Sequence, residues 1–122
     1  MTRKPFAIWE VNGIEYKLKL KTATVAQLEE KLGRSLMAVF STDGVPPLSV
    51  MLTITHGAMK DWNSNIKRSD VDDLFDQYLD EGGSQLEFFA TIFMDIYKVS
   101  GFFTTGQIQA MENNQEKIQE VL

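Results

Sequence analysis

The stretch FAIWEVNGIEYKLKL constrains the fold more than any other part of the sequence. Its centre, Asn12-Gly13, has the preferred composition of a two-residue type I′ turn, and strand-like runs flank it. The turn sets a register in which one face carries three apolar pairs: Val11 with Ile14, Trp9 with Tyr16, and Ala7 with Leu18. Glu15, Lys17 and Lys19 point the other way. Because an isolated hairpin is only marginally stable in water, its apolar face needs a cover.

Helical patterns after this hairpin, which spans residues 6–20, can provide the cover. Apolar spacing predicts helices near residues 24–40, 47–62, 69–81 and 84–99. Three pairs are typical of helix starts: Thr24 with Gln27, Ser69 with Asp72, and Ser84 with Glu87. Gly33 and Gly82-Gly83 are predicted stops. The helix at 84–99 has one narrow polar row, so we expect it to be the central core helix.

The predicted fold class is α+β and predominantly helical, with an N-terminal β-hairpin packed on a bundle of about four to five helices. A length of 122 residues suits one domain. We assign residues 1–103 to a single globular domain and residues 104–122 to a polar C-terminal helix or tail. In this tail a short coiled-coil seam is predicted at Ile108, Met111, Gln115, Ile118 and Leu122.

Composition excludes several classes of protein. The absence of cysteine excludes a disulfide framework, a thiolate metal site and a cysteine nucleophile. The most apolar segment, LEFFATIFMDIYKV, carries Glu87, Asp95 and Lys98, which fits a buried helix and not a membrane span. The start of the chain does not resemble a secretory signal, so we expect a cytoplasmic protein. The net charge of −5 argues against binding to the phosphates of nucleic acids.

The acidic stretch SDVDDLFDQYLDEGG could hold calcium, act as an acid or base, imitate DNA, or form the wet face of a helix. From Asp70 to Glu81 it has the length of an EF-hand loop, but Leu74 and Phe75 stand where that loop needs a ligand and a glycine. The stripe Val71, Leu74, Phe75, Tyr78 and Leu79 has helical spacing, which leaves Asp72, Asp73, Asp76 and Asp80 in water. We therefore interpret it as an amphipathic helix without a metal site.

An enzyme is not expected. The single histidine, His56, shares a helical side with Leu52 and Met59, where a packed, hydrogen-bonded histidine is the common case. No nucleophile elbow, phosphate loop or metal-ligand spacing occurs. We predict no catalytic residue, no metal and no cofactor.

Phe102 and Phe103 stand between a helix stop and the polar tail. They could contact a partner, or they could fold back onto the core helix as a hydrophobic latch. Our hypothesis is that Phe102 and Phe103, with Ile108, Met111 and Ile118, contact a partner or another copy of the chain. Asp73, Asp76 and Asp80 are candidates for steering a basic partner.

Four linked segments resemble the tail assembly chaperones of long-tailed (siphovirus-type) phages and prophages of Gram-positive bacteria. They are IEYKLKLKT, AQLEEKLGRSLMAVF, PPLSVMLTITHGAMK and VDDLFDQYLDEGGSQLEFFATIFMDIYKVSGFF, which together run from about Ile14 to Phe103. The resemblance rests on the linked segments, because none of them contains an invariant chemical signature.

The resemblance implies a non-enzymatic protein of the host cytoplasm. Such a chaperone binds the tape measure protein during tail assembly and is absent from the mature virion. In many such phages a frameshift adds a second domain, and this chain would be the short form. The tail tube protein is a further candidate partner, self-association stays open, and neither nucleic acid nor membrane is expected. The alternative is a structural tail component, such as a completion or tube-associated protein.

Overall fold

The N-terminal hairpin has the predicted register. A computed structural model describes the backbone of residues 2–41 and 44–121 and the side chains of 2–40 and 44–113. Strands β1 (Ala7–Val11) and β2 (Ile14–Leu18) are antiparallel, with Trp9 opposite Tyr16. Asn12 and Gly13 have φ of 53° and 75°, the left-handed pair that a type I′ turn requires. Ile14 is 53% exposed, so the apolar face is not fully covered beside the turn.

Helices make up most of the remaining chain, so the α+β, predominantly helical class is confirmed. Their bounds are α1 Thr22–Leu32, α2 Leu36–Ser41, α3 Leu48–Met59, α4 Arg68–Asp80, α5 Gln85–Phe88, a π-helical turn Phe89–Phe93, α6 Met94–Val99 and α7 Thr105–Val121. The segment α5, π-helical turn and α6 is continuous in backbone conformation and is called the central helix below.

The predicted helix at 24–40 is divided into α1 and α2. Gly33 ends α1 in the left-handed conformation, with φ of 72°, as predicted. The Glu29 carboxylate then accepts a hydrogen bond of 2.8 Å from the Leu36 amide at the start of α2. The predicted cap of Thr24 with Gln27 is wrong, because α1 already begins at Thr22.

Side-chain caps open helices α4 and α5. The Ser84 hydroxyl accepts a hydrogen bond of 3.0 Å from the Glu87 amide, which confirms that cap. The predicted pair of Ser69 with Asp72 is wrong. Helix α4 begins one residue earlier, and the Asp70 carboxylate accepts a hydrogen bond of 2.8 Å from the Lys67 amide.

Aromatic side chains of the central helix form the middle of the core. Phe88 meets Trp9 of the hairpin edge-to-face, with ring centroids 5.1 Å apart. Tyr97 contacts Phe40 of α2 at 4.6 Å between centroids, and its hydroxyl donates a hydrogen bond of 2.7 Å to the Leu36 carbonyl. The prediction of a central core helix is confirmed, although Leu86 at its start is 65% exposed.

Three backbone amides of the hairpin and its end donate hydrogen bonds to the helical part of the chain. The Asn12 amide in the turn donates to both Glu81 carboxylate oxygens at 3.0 Å, just after α4. After β2, the Lys19 amide donates to the Ala58 carbonyl of α3 at 3.0 Å. The Leu20 amide donates to the Ser100 hydroxyl at 2.9 Å, just after α6. The hairpin therefore has a fixed position relative to α3, α4 and the central helix.

We expect Tyr97→Phe to lower the free energy of unfolding by about 1–2 kcal/mol, because it leaves the buried Leu36 carbonyl without this partner. Urea unfolding of the purified chain measures the change. Tyr16→Phe is the control, since the Tyr16 hydroxyl has no hydrogen-bond partner among the described residues, and it should be close to neutral. Equal stability of the two variants would show that the Tyr97 hydroxyl does not stabilise the fold.

Candidate functional site

The acidic stretch lies mainly in α4. Val71 and Phe75 are buried, whereas Asp73, Asp76 and Asp80 are exposed. Leu79, which the helical spacing placed on the inner stripe, is 40% exposed, so that part of the prediction is wrong. Across the part of the chain that the structure describes, no group of three or more acidic, histidine or cysteine residues could hold a metal ion. The aspartates form a solvated face on the outside of the bundle.

Phe102 and Phe103 pack against the core and are half-buried. The Phe102 ring lies 4.6 Å from the Tyr97 ring, and the Phe103 ring lies 6.0 Å from the Phe40 ring, centroid to centroid. This geometry corresponds to the hydrophobic latch, one of the two alternatives that the sequence analysis gave for these residues. Partner contact by these two rings stays a prediction, and their internal packing gives each a structural role as well.

A groove opens between the N-terminal segment 2–8, helix α6 and the first half of α7. Its volume is about 610 Å³, which is within the range of binding pockets, about 300–1,000 Å³. The apolar part of its lining consists of Phe6, Ala7, Ile8, Val99 and Ile108. We call it the N-terminal groove. Among the predicted contact residues whose side chains are described, Ile108 alone lines this groove.

Other predicted contact residues lie elsewhere. Met111 is half-buried on α7 and does not line the groove, and the Ile118 side chain lies outside the described residues. Phe6, Ile8 and Asp95 are groove residues that the sequence reasoning missed. Ile8 offered a signal, because it is an isoleucine on the otherwise polar face of a half-buried strand, next to Glu10.

Charged side chains surround the apolar part of the groove. The Arg3 guanidinium donates hydrogen bonds to the Phe103 carbonyl at 2.6 Å and to the Lys98 carbonyl at 3.2 Å. These two hydrogen bonds connect the N-terminal segment to carbonyls on either side of the turn between α6 and α7. The Lys98 ammonium lies 3.7 Å from a Glu112 carboxylate oxygen, so an ion pair joins α6 to α7 across the groove.

Asp95 is the half-buried carboxylate in the lining. Burial raises the pKa of its carboxyl above the ordinary value. The Lys98 and Lys4 ammonium groups oppose this rise, and the Glu112 carboxylate adds to it. Because this pKa lies above the ordinary value, ionisation of the Asp95 carboxyl opposes folding at neutral pH.

His56 has a structural role. Its Nε2 lies 3.0 Å from the Ile66 carbonyl oxygen, which connects α3 to the segment before α4. No helix in the described residues is long and apolar enough to cross a membrane.

Comparison with known families gives one match over nearly the whole chain. A family model described as "Family of unknown function (DUF6096)" matches residues 3–122. Comparison with curated proteins and with solved structures gives no match.

We expect Asp95→Asn to stabilise the free protein at pH 7. The carboxyl has a higher pKa in the folded than in the unfolded chain, so its ionisation opposes folding above the folded pKa. The penalty disappears below the unfolded pKa, about 3.9. The midpoint of thermal unfolding should therefore be higher for Asp95→Asn than for wild type at pH 7, and the difference should become smaller as the pH falls to 4. Asp76→Asn, on the exposed face of α4, is the control and should leave the midpoint unchanged at pH 7. A wild type more stable than Asp95→Asn at pH 7 would contradict the account.

Proposed function

The chain belongs to the family of unknown function DUF6096, and we propose that it is a tail assembly chaperone of a long-tailed phage or prophage. It works in the host cytoplasm without catalysing a reaction, binds the tape measure protein during tail assembly and is absent from the mature virion.

The N-terminal groove is the observation that supports this proposal. Phe6 and Ile8 of the N-terminal segment and Ile108 of α7 present apolar surface from opposite sides of an open space. Grooves of this kind bind amphipathic helices, whose apolar residues recur every three or four positions and enter the groove from one side. A tape measure protein is long and helical, and its apolar faces would aggregate unless they were covered before the tube forms.

The charge distribution supports the same role. The exposed carboxylates of Asp73, Asp76 and Asp80 lie together on α4, and the whole chain has a net charge of −5. Net charge keeps protein complexes apart in solution, and acidic residues increase solubility more than basic ones. In a chaperone complex, the acidic α4 face would stay in water while the groove holds the apolar helix.

Ile8→Glu should prevent recovery of the tape measure protein in a co-purification experiment. Ile8 is 42% exposed and lines the groove, and glutamate there would face Lys17 across the hairpin, an opposite-charge pair that preserves the strands. The loss of a central apolar contact typically weakens binding by about tenfold or more. The partner is the tape measure protein of the same phage or prophage, co-expressed with the tagged chain.

Leu86→Glu is the matched control. It puts the same charge on an apolar residue that is 65% exposed on α5, a helix that contributes no residue to the groove. Circular dichroism should give the same helix content for both variants. Retained binding by Ile8→Glu, or equal loss in both variants, would contradict the role of the groove.

Mass spectrometry of purified particles separates the chaperone from the alternative, a structural tail component. A chaperone should be present in the lysate and missing from the particles. A fixed copy number in the particles would identify a structural component and refute the proposed function.

A further inference from the structure

The outer face of the hairpin presents a second surface, next to the N-terminal groove. It consists of Phe6, Ile8 and Glu10 from the first strand and its start, Glu15 and Lys17 from the second strand, and Trp62 from the segment after α3. We call it the outer hairpin face. Phe6 and Ile8 also line the groove, so the two surfaces are continuous.

One end of the outer hairpin face is apolar. Trp62 is 46% exposed and Ile8 is 42% exposed. The Phe6 and Trp62 rings meet edge-to-face at 5.5 Å between centroids, and the Lys17 ammonium lies 4.9 Å from the Phe6 centroid and 5.3 Å from the Trp62 centroid. The cation–π contacts hold the Lys17 ammonium over the two rings.

The other end is acidic and unpaired. Glu10 and Glu15 are directly opposite each other in the hairpin, and both are exposed. Like charges in opposite positions of two strands destabilise the pairing. Among the residues that the structure describes, neither carboxylate forms an ion pair within 4.0 Å. A cation placed between the two carboxylates would relieve this repulsion.

We propose that the outer hairpin face binds a basic amphipathic helix. An apolar residue of this helix covers Ile8 and Trp62, and a lysine or arginine about one turn away lies between Glu10 and Glu15. Tryptophan is enriched among the residues that contribute most of the energy of a binding surface, and the two carboxylates select the charge of the partner. The inference rests on the proposed function for the identity of the helix, which would be a segment of the tape measure protein.

A pair of defined peptides tests the surface without the phage partner. Both are helical 20-residue peptides with one leucine stripe, flanked by lysines in one and by glutamates in the other. Titration of the isotope-labelled chain, followed by NMR, should shift the amides of Ile8, Glu10, Glu15 and Lys17 with the lysine peptide and leave them in place with the glutamate peptide. Shifts on α4 alone, equal shifts with both peptides, or no shifts would each overturn the inference.

Glu10→Lys is a second test, because it should change stability and peptide affinity in opposite directions. It turns the like-charge pair into an attractive one with Glu15, so the midpoint of thermal unfolding should rise while the affinity for the lysine peptide falls about tenfold. Glu30→Lys, an equal change of charge on the exposed side of α1, is the control and should leave the affinity near wild type. Unchanged affinity in Glu10→Lys would refute the role of the pair.

The same variants separate the inference from the proposed function. If the wild-type chain binds the lysine peptide at this face but recovers no tape measure protein from co-expression, the surface is correct and the proposed partner is wrong. If it recovers the tape measure protein and Glu10→Lys recovers as much, the chaperone role stands and the outer hairpin face is not its contact.

Discussion

Aromatic packing along the central helix determines the positions of the other elements. Phe88 contacts Trp9 of the hairpin and Phe75 of α4, while Tyr97 contacts Phe40 of α2 and donates its hydroxyl to the Leu36 carbonyl. Large aromatic side chains bury more apolar area than other residues and pack with defined ring angles, so one helix can orient several neighbours. Phe102 continues the same packing beyond the end of α6, because its ring lies against Tyr97. The direction in which the chain leaves the core, and hence the place where α7 begins, follows from these contacts.

The N-terminal groove is a consequence of this arrangement. The chain turns after α6, and α7 starts with a reciprocal cap in which the Thr104 backbone amide donates to the Gln107 side-chain oxygen and the Gln107 backbone amide donates to the Thr104 hydroxyl. Helix α7 then lies across the groove from the N-terminal segment. Arg3 connects that segment to the Lys98 and Phe103 carbonyls before α7, and the Lys98–Glu112 ion pair connects α6 to α7. Between these walls the exposed Ile8 and the half-buried Phe6 and Ile108 remain available to a partner.

Local signals explain what the sequence predicted well. The type I′ turn and the strand alternation are properties of adjacent residues, so the pairing of Trp9 with Tyr16 could be read directly. The cap at Ser84 was read in the same way. Two other caps were misplaced: α1 begins at Thr22 without a side-chain cap, and at the start of α4 the Asp70 carboxylate, next to Ser69, accepts the capping hydrogen bond from the Lys67 amide. The groove could not be read from spacing, since it is built from segments about 90 residues apart in the chain, Phe6 and Val99 among them.

Hydrogen exchange of the free chain, and of the chain mixed with its proposed partner, the tape measure protein, tests the central claim most directly, because it reports which amides a partner covers. The account predicts slower exchange on binding in the N-terminal segment 2–8, in Met94–Val99 and in the first half of α7, with little change in Arg68–Asp80. Slower exchange confined to the acidic helix α4, or no change in the groove segments of a complex that does form, would contradict it.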